Sequence, residues 1–417
     1  MTALVAFARK LWVLQRLGAP PRLTFQVLRW MVRFGAREFA FWYALIDAAI
    51  VAALVLSGAV EGTLGLLLAV VFGLLCALEI RFAWASWRSA RAVAEELADL
   101  PPEPESVQFP RSHLVFPLLM LYAPRVRHRR GIVYHRDAGK RIRLDVYEPK
   151  ARPSALRPAV IQVHGGGWIL GSRVEQGIPL LNHLAANGWV GFNVDYRLSP
   201  RVTMPEHVID VKRAIAWVRA HAEEYAIDPG RVCITGGSAG GHLTALAALT
   251  ANDPLLQPGF EDADTSVVAA VPFYGLYDLT DPESVYSPGI RDWLIQRIVF
   301  GRPYDGNEED YRAASPTHRV HADAPPFLVI HGEHDTLVPV EDARAFATRL
   351  EAVSRSTVRY VELPGAEHAF DVFPSLRTAR IVEGIERFLR ATVGPPAEQA
   401  DSAATERSDA PAILSGS

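Results

Sequence analysis

Two cysteines in 417 residues leave no material for a disulfide framework. Cys76 lies in a long apolar run and Cys233 just before a glycine-rich motif, so they are not the closely spaced thiols of a zinc site. So low a count is compatible with a reducing compartment. No G-x-x-x-x-G-K-[S/T] loop is present, and no G-x-G-x-x-G followed by an acidic residue, which argues against phosphate-cradle and dinucleotide sites. A net charge of −3 gives no sign of a nucleic-acid surface. Acidic residues are absent before Glu38, where the only charges are Arg9, Lys10, Arg16, Arg22, Arg29, Arg33 and Arg37. Internal repeats are also lacking. What remains, 49% hydrophobic and 21% charged residues, suffices for a sizeable core.

Long hydrophobic runs are not lacking. Residues 41–60, FWYALIDAAIVAALVLSGAV, carry one charge and match the roughly 20 apolar residues that cross a bilayer. After Glu61-Gly62 comes a second run, TLGLLLAVVFGLLCAL (63–78), extended by Trp84 and Trp87. The expectation is a two-helix membrane hairpin, with a buried helix pair as the alternative. Basic residues before the first run and Arg81, Arg88 and Arg91 after the second place both ends, and all that follows, in the cytoplasm. Arg29, Arg33 and Arg37 recur every four residues, as on a basic helix lying on anionic lipid or on a solvated face. The expected division is a basic segment with the hairpin (1–95), a linker or cap segment (96–130), the main domain (131–392) and a disordered tail (393–417).

From residue 131 short apolar runs alternate with amphipathic stretches. Strands are expected at 141–149, 158–165, 190–198, 231–237, 267–275, 326–335 and 358–365. That alternation predicts an α/β fold with a mostly parallel sheet covered by helices on both faces.

The stretch RVCITGGSAGGHLTALAAL runs from a buried strand into a helix former through Gly236-Gly237-Ser238-Ala239-Gly240. A G-x-S-x-G turn is sharp enough to expose a serine hydroxyl at the carboxyl end of a sheet, and it needs small residues on either side. Upstream, His164-Gly165-Gly166-Gly167 ends another apolar strand. Glycine amides are free of side-chain cover, so Gly165 and Gly166, with Ala239, are the expected oxyanion donors. A serine needs a histidine to take its proton and a carboxylate to orient that histidine. Asp335 and His368 each lie just past an apolar strand, which makes them the expected orienter and base. Glu333, Glu367 and Asp278 are alternative orienters, and His331, His334 and His242 alternative bases. His164 and Asp195-Tyr196-Arg197 read as structural braces. His331-x-x-His334 lacks a third metal ligand at zinc-site spacing.

HGGGW (164–168), GGSAGGH (236–242), HGEHD (331–335) and EHAF (367–370) together resemble the α/β-hydrolase superfamily, over roughly residues 131–392. They are most similar to its carboxylesterase branch related to hormone-sensitive lipase. With the hairpin, the chain resembles membrane-anchored carboxylesterases of actinobacteria. The excess of Arg over Lys, which occurs only at 10, 140, 150 and 212, fits such GC-rich genomes. The resemblance implies hydrolysis of short-to-medium acyl esters without cofactor or metal, through Ser238, Asp335 and His368, with Gly165, Gly166 and Ala239 as oxyanion donors. It implies a small-molecule or lipid ester as substrate, and the hairpin implies membrane lipid as partner. Residues 96–130 and 279–306 are the expected cap elements. That branch commonly has Asp before its nucleophile, where this chain has Gly237. The Gly-Gly-Ser form also resembles deacetylases and arylformamidases, and acyl transfer runs on the same triad. The non-enzymatic alternative is a membrane-tethered binding module.

Overall fold

The computed structural model describes residues 11–101, 108–115, 119–120, 123–137, 139–151, 153 and 155–394. Eight strands, β1 (Val126–Asp137), β2 (Lys140–Pro149), β3 (Arg157–Val163), β4 (Val190–Val194), β5 (Ile227–Gly237), β6 (Ala269–Phe273), β7 (Phe327–Gly332) and β8 (Val358–Leu363), form one sheet. Their order across it is 1-2-4-3-5-6-7-8. β1 and β2 pair antiparallel, as do β2 and β4, and every pair from β4 through β3 to β8 is parallel. Side chains alternate between two apolar layers, as the two-residue period of a strand dictates. Ile161, Val163, Phe192 and Ile234 enter one layer, and Val160, Cys233, Val271 and Leu328 the other. Helices α5 (Glu206–Ala220), α6 (Ala239–Leu249) and α7 (Val340–Val353) cover the first, and α4 (Ile178–Ala186) and α8 (Leu376–Val393) the second.

The N-terminal part comprises α1 (Pro21–Glu38), α2 (Ala40–Leu56) and α3 (Thr63–Glu96). α1 and α2 meet at Phe39 with a 70° bend. α2 packs against the first half of α3. α3 has 34 residues, about 51 Å at 1.5 Å per residue. Its most apolar 18-residue window has a mean hydropathy of 2.4, and none of it is buried. The first apolar run ends as helix at Leu56 rather than at 60, because Gly58 turns left-handed (φ 71°) and Ala59–Glu61 form a 3-10 turn.

Three expected boundaries move. The sheet starts at Val126, ahead of the expected domain start at 131, since β1 pairs with β2 from Val126 opposite Pro149. The last turns of α3 belong to the catalytic layer: Ser89 Oγ donates to Pro364 O at 2.9 Å, and Val93 is buried in the second core. A Cβ on Gly384 would lie 2.4 Å from Val93 Cγ1, so glycine lets α8 approach α3 closely. Within 96–130, Phe109 stacks on His183 of α4 and its N–H donates to Glu383 of α8. The described part of this segment around Phe109 therefore packs on the second core, where its apolar ring finds cover, and not over the serine. The tail expected from 393 lies outside the described residues from 395 onward.

One buried carboxyl makes the fold pH-sensitive. Asp342, in the first turn of α7, accepts both Tyr277 N–H and Tyr286 Oη–H on Oδ2, each at 2.6 Å. Burial pushes its pKa up to about 7, against the two hydrogen bonds that lower it. An unfolded Asp titrates near ~4. The folded state thus keeps a proton that the unfolded chain has lost, and stability falls as pH rises from about 4 through about 7. Asp342→Asn keeps one oxygen for both donors. It is expected to be more stable than wild type at pH 8, on the order of 2–4 kcal/mol, and nearly equal at pH 4. Thermal melts at the two pH values check this.

Candidate active site

β5 ends at Gly237 and α6 begins at Ala239, so the whole reversal falls on Ser238. Its backbone adopts φ 58° and ψ −123°, a strained conformation for a residue with a side chain. Two neighbours show why the turn needs glycine. A Cβ on Gly236 would lie 2.6 Å from Val163 O, and one on Gly240 only 2.1 Å from the same atom. The elbow is anchored by Ser238 N–H to Phe273 O at 3.0 Å and His242 N–H to Ser238 O at 2.9 Å.

Asp335 and His368, which follow β7 and β8, come together. His368 Nδ1 lies 2.6 Å from Asp335 Oδ2, and both side chains are almost wholly buried. Oδ1 of Asp335 accepts the N–H groups of Leu337 and Val338, each at 2.8 Å. Burial raises the Asp335 pKa, but the charges of His368 and His331 and their hydrogen bonds outweigh it and hold the carboxyl below its usual range. The stabilisation this implies is present above the unfolded pKa of ~3.9 and is lost only as pH falls through the lower folded value. The ring of His368 lies between Tyr274, with centroids 4.5 Å apart, and the edge of Trp30 at 6.1 Å.

The glycine loop meets the serine. A Cβ on Gly165 would sit 3.1 Å from Ser238 Cβ, and Gly166 adopts φ 124°. One expected oxyanion donor is corrected here. Gly165 N–H already donates to Gln176 Oε1 at 2.7 Å, a short bond that a glycine motif does not announce. Among the described residues no protein acceptor takes the N–H of Gly166 or Ala239. His164 braces the loop, stacked on Tyr196 at 4.4 Å, and Tyr196 Oη donates to His164 O. Asp195 pairs with Arg173, and Arg197 with Asp210 at 2.7 Å.

The alternative bases and orienters have other partners. His242 is bonded to Ala314 O, and Asp278 faces His318. Glu333 lies with His334 in an exposed pair, whereas His331 is buried, so the two histidines of HGEH do not form a metal pair. His331 Nε2 reaches Val338 O at 3.0 Å and Asp335 Oδ2 at 3.3 Å, bracing the carboxylate from behind.

Known proteins share this architecture. Esterase LipC of Mycobacterium tuberculosis is 45% identical over 290 residues, covering 69% of this chain and 71% of LipC. The chain belongs to the α/β-hydrolase carboxylesterase family. The BD-FAE family model matches residues 144–350 of the chain. The protein named "Probable carboxylic ester hydrolase LipM" from the same organism is 47% identical over 66% of this chain. The match spans 63% of LipM, less than two thirds of its length. Among solved structures, Thermogutta terrifontis esterase 2 phosphonylated by sarin is 30% identical, with a TM-score of 0.55. That alignment covers 66% of this chain and 97% of the other.

The structure also brings to the site residues that the motifs did not reveal. Tyr274 explains Gly237: a Cβ there would lie 2.4 Å from Tyr274 Oη and 2.7 Å from Cζ, so the tyrosine fills the space a side chain would need. The tyrosine donates to Asp371, and burial raises the pKa of both. The 279–306 insertion comes close to the glycine loop through the helix Gly289–Phe300, where a Cβ on Gly167 would lie 3.3 Å from Leu294 Cδ2. α1 lies against that helix, its Leu23 packing at Gly289. Arg33 and Arg37, expected to face lipid or solvent, instead point inward: Arg33 pairs with Glu367 and Arg37 donates to Gly365 O. A four-residue period shows that side chains share a face, not which way the face looks.

Proposed function

We propose that this hydrolase is a serine carboxylesterase for short-to-medium acyl esters, anchored to a membrane by the α2–α3 hairpin. The observation that carries the reading is the Asp335–His368 bond at 2.6 Å, at the carboxyl ends of the strands, where a serine is also held at φ 58° beside a glycine loop. In this reading His368, kept in its Nδ1–H tautomer by Asp335, accepts the Ser238 proton on Nε2 as Oγ attacks the ester carbonyl. The amides of Gly166 and Ala239 receive the oxyanion, each worth roughly 3 kcal/mol in a dry site. His368 then protonates the departing alcohol, and water repeats the cycle on the acyl-enzyme. The phosphonylation of the Thermogutta esterase supports choosing an organophosphonate as a probe.

The anchoring part rests on the exposed apolar side chains of the hairpin, among them Leu45, Ile46, Leu66, Leu67, Val70, Leu74, Trp84 and Trp87. With α2 across the bilayer, the 70° bend turns α1 toward the membrane plane. Its outer face then presents Phe25, Leu28 and Val32 with Arg22 and Arg29, a composition suited to anionic headgroups. The basic flanks favour a cytoplasmic catalytic domain.

The test is hydrolysis of p-nitrophenyl esters from C2 to C16 by membranes containing wild type or Ser238→Ala. Turnover that peaks at short-to-medium chains and falls at least ~10³-fold in the variant is expected; turnover indifferent to Ser238 contradicts the esterase. Retention in the pellet after alkaline carbonate is expected, and release into the supernatant contradicts the anchor.

A further inference from the structure

α1 precedes the catalytic domain by almost ninety residues, yet its inner face lies on the two loops that carry Asp335 and His368. Trp30 Nε1 donates to His368 O at 3.0 Å. Gln26 Nε2 donates to Thr336 O at 2.8 Å, and its Oε1 accepts from Ser287 Oγ at 2.8 Å. Between these contacts sits Glu367, whose side chain is wholly buried. Its Oε1 takes three donors: Thr336 N–H at 2.6 Å, Thr336 Oγ at 3.0 Å and His368 N–H at 3.2 Å. One carboxylate oxygen thus staples the aspartate loop to the histidine loop. The other oxygen, Oε2, is buried without a hydrogen bond and faces Arg33 Nε at 3.1 Å.

The staple matters because Asp335 fixes His368 at only one ring nitrogen, and the ring moves with its loop. That loop is bounded by left-handed residues, Gly365 at φ 66° and Ala369 at φ 66°, so its local backbone does not by itself choose the shape. A misplacement of about 1 Å in a reacting group is enough to lose ~10²-fold in rate. Without Arg33, the buried Oε2 of Glu367 would lose the cation facing it and keep only the nearby Arg37 charge, which favours opening of the loops to let water reach it.

We propose that Trp30 and Arg33 are positioning residues for His368: Trp30 holds its carbonyl, and Arg33 acts through the Glu367 staple. The N-terminal helix is then part of the active site and not only its leash. The inference rests on the reading of His368 as the base. Both inner-face residues sit on the helix that continues, through the bend at Phe39, into α2.

The experiment uses full-length protein in detergent. It measures kcat and KM for p-nitrophenyl butyrate, and the rate of inactivation by a fluorophosphonate, for wild type, Arg33→Met, Arg33→Lys and Trp30→Phe. Arg33→Met is expected to lower kcat and the inactivation rate together, by about 10- to 100-fold, with KM changed less than about threefold. Arg33→Lys, which keeps the charge beside Glu367, is expected to recover most of the loss. Trp30→Phe keeps a ring but removes the N–H donor; a fall in kcat of about fivefold is expected, and it decides the matter if Arg33→Met does not fold. Rates within about twofold of wild type in the folded variants, a change confined to KM, or no recovery with lysine would overturn the proposal. Wild type inert to both ester and fluorophosphonate would instead remove the esterase reading itself, so the two failures are distinguishable.

Discussion

Asp335→Asn is expected to lower kcat by about 10⁴-fold while leaving the fold intact. The reason is directional. Leu337 and Val338 both donate to Oδ1 of Asp335, so an asparagine must place its carbonyl oxygen there. Its amide nitrogen then faces His368 Nδ1, where Oδ2 stood at 2.6 Å. Two donors cannot share one bond, so the imidazole is driven to the tautomer that carries its proton on Nε2. That nitrogen is the one that must accept the serine proton. Steady-state turnover with p-nitrophenyl butyrate and a thermal melt measure both halves of the expectation. A loss below about tenfold in a folded variant would mean that another carboxylate orients the histidine, Glu367 being the nearest by sequence.

Glu38→Ala is expected to produce the largest change in stability, roughly 3–5 kcal/mol. Glu38 ends α1, and its carboxylate pairs with Arg377 of α8 inside the protein, where the arginine side chain is fully buried. Arg377 Nε donates to Ser89 of α3 at 3.0 Å, and Ser375 Oγ donates to Glu38 at 3.0 Å. The cluster therefore ties α1 and α3 to the catalytic domain. Removing the carboxylate strands a buried guanidinium without its counter-charge. Replacing both partners, as in Glu38→Gln with Arg377→Met, is expected to restore much of the loss, because the pair offsets little more than its own desolvation. Melting temperatures of the full chain in detergent separate the cases. A single variant within about 1 kcal/mol of wild type would contradict the buried-pair account.

The parts of the site that were legible share one property: their chemistry depends on residues adjacent in sequence. The elbow is a five-residue turn whose glycines are required by backbone contacts, and the apolar runs before Ser238, Asp335 and His368 locate strand ends. β1 was missed because its Arg and His residues break the apolar pattern; it is an edge strand whose pairing with β2, not burial, forms it. What could not be read depends on long-range packing. Gln176 bonds to Gly165 from eleven residues away, and Trp30 bonds to His368 across 338 positions. α1 did carry a signal in the spacing of Leu23, Trp30 and Phe34, an apolar stripe on the inward face beside Arg33 and Arg37. Basic residues before an apolar run suggested lipid, and the buried Glu367 that draws Arg33 inward lies more than three hundred residues downstream. Gly237 was legible as a departure from the related branch, but its reason, the ring of Tyr274, was not.

The most direct measurement of the central claim is the site and stoichiometry of fluorophosphonate labelling of the full-length protein, read by mass spectrometry of its peptides. One adduct per chain on Ser238, absent in Ser238→Ala and strongly slowed in Asp335→Asn, is the predicted result. Labelling on another residue, or none in folded protein that binds the membrane, would contradict a nucleophile at Ser238 and leave the glycine elbow without a reaction to serve.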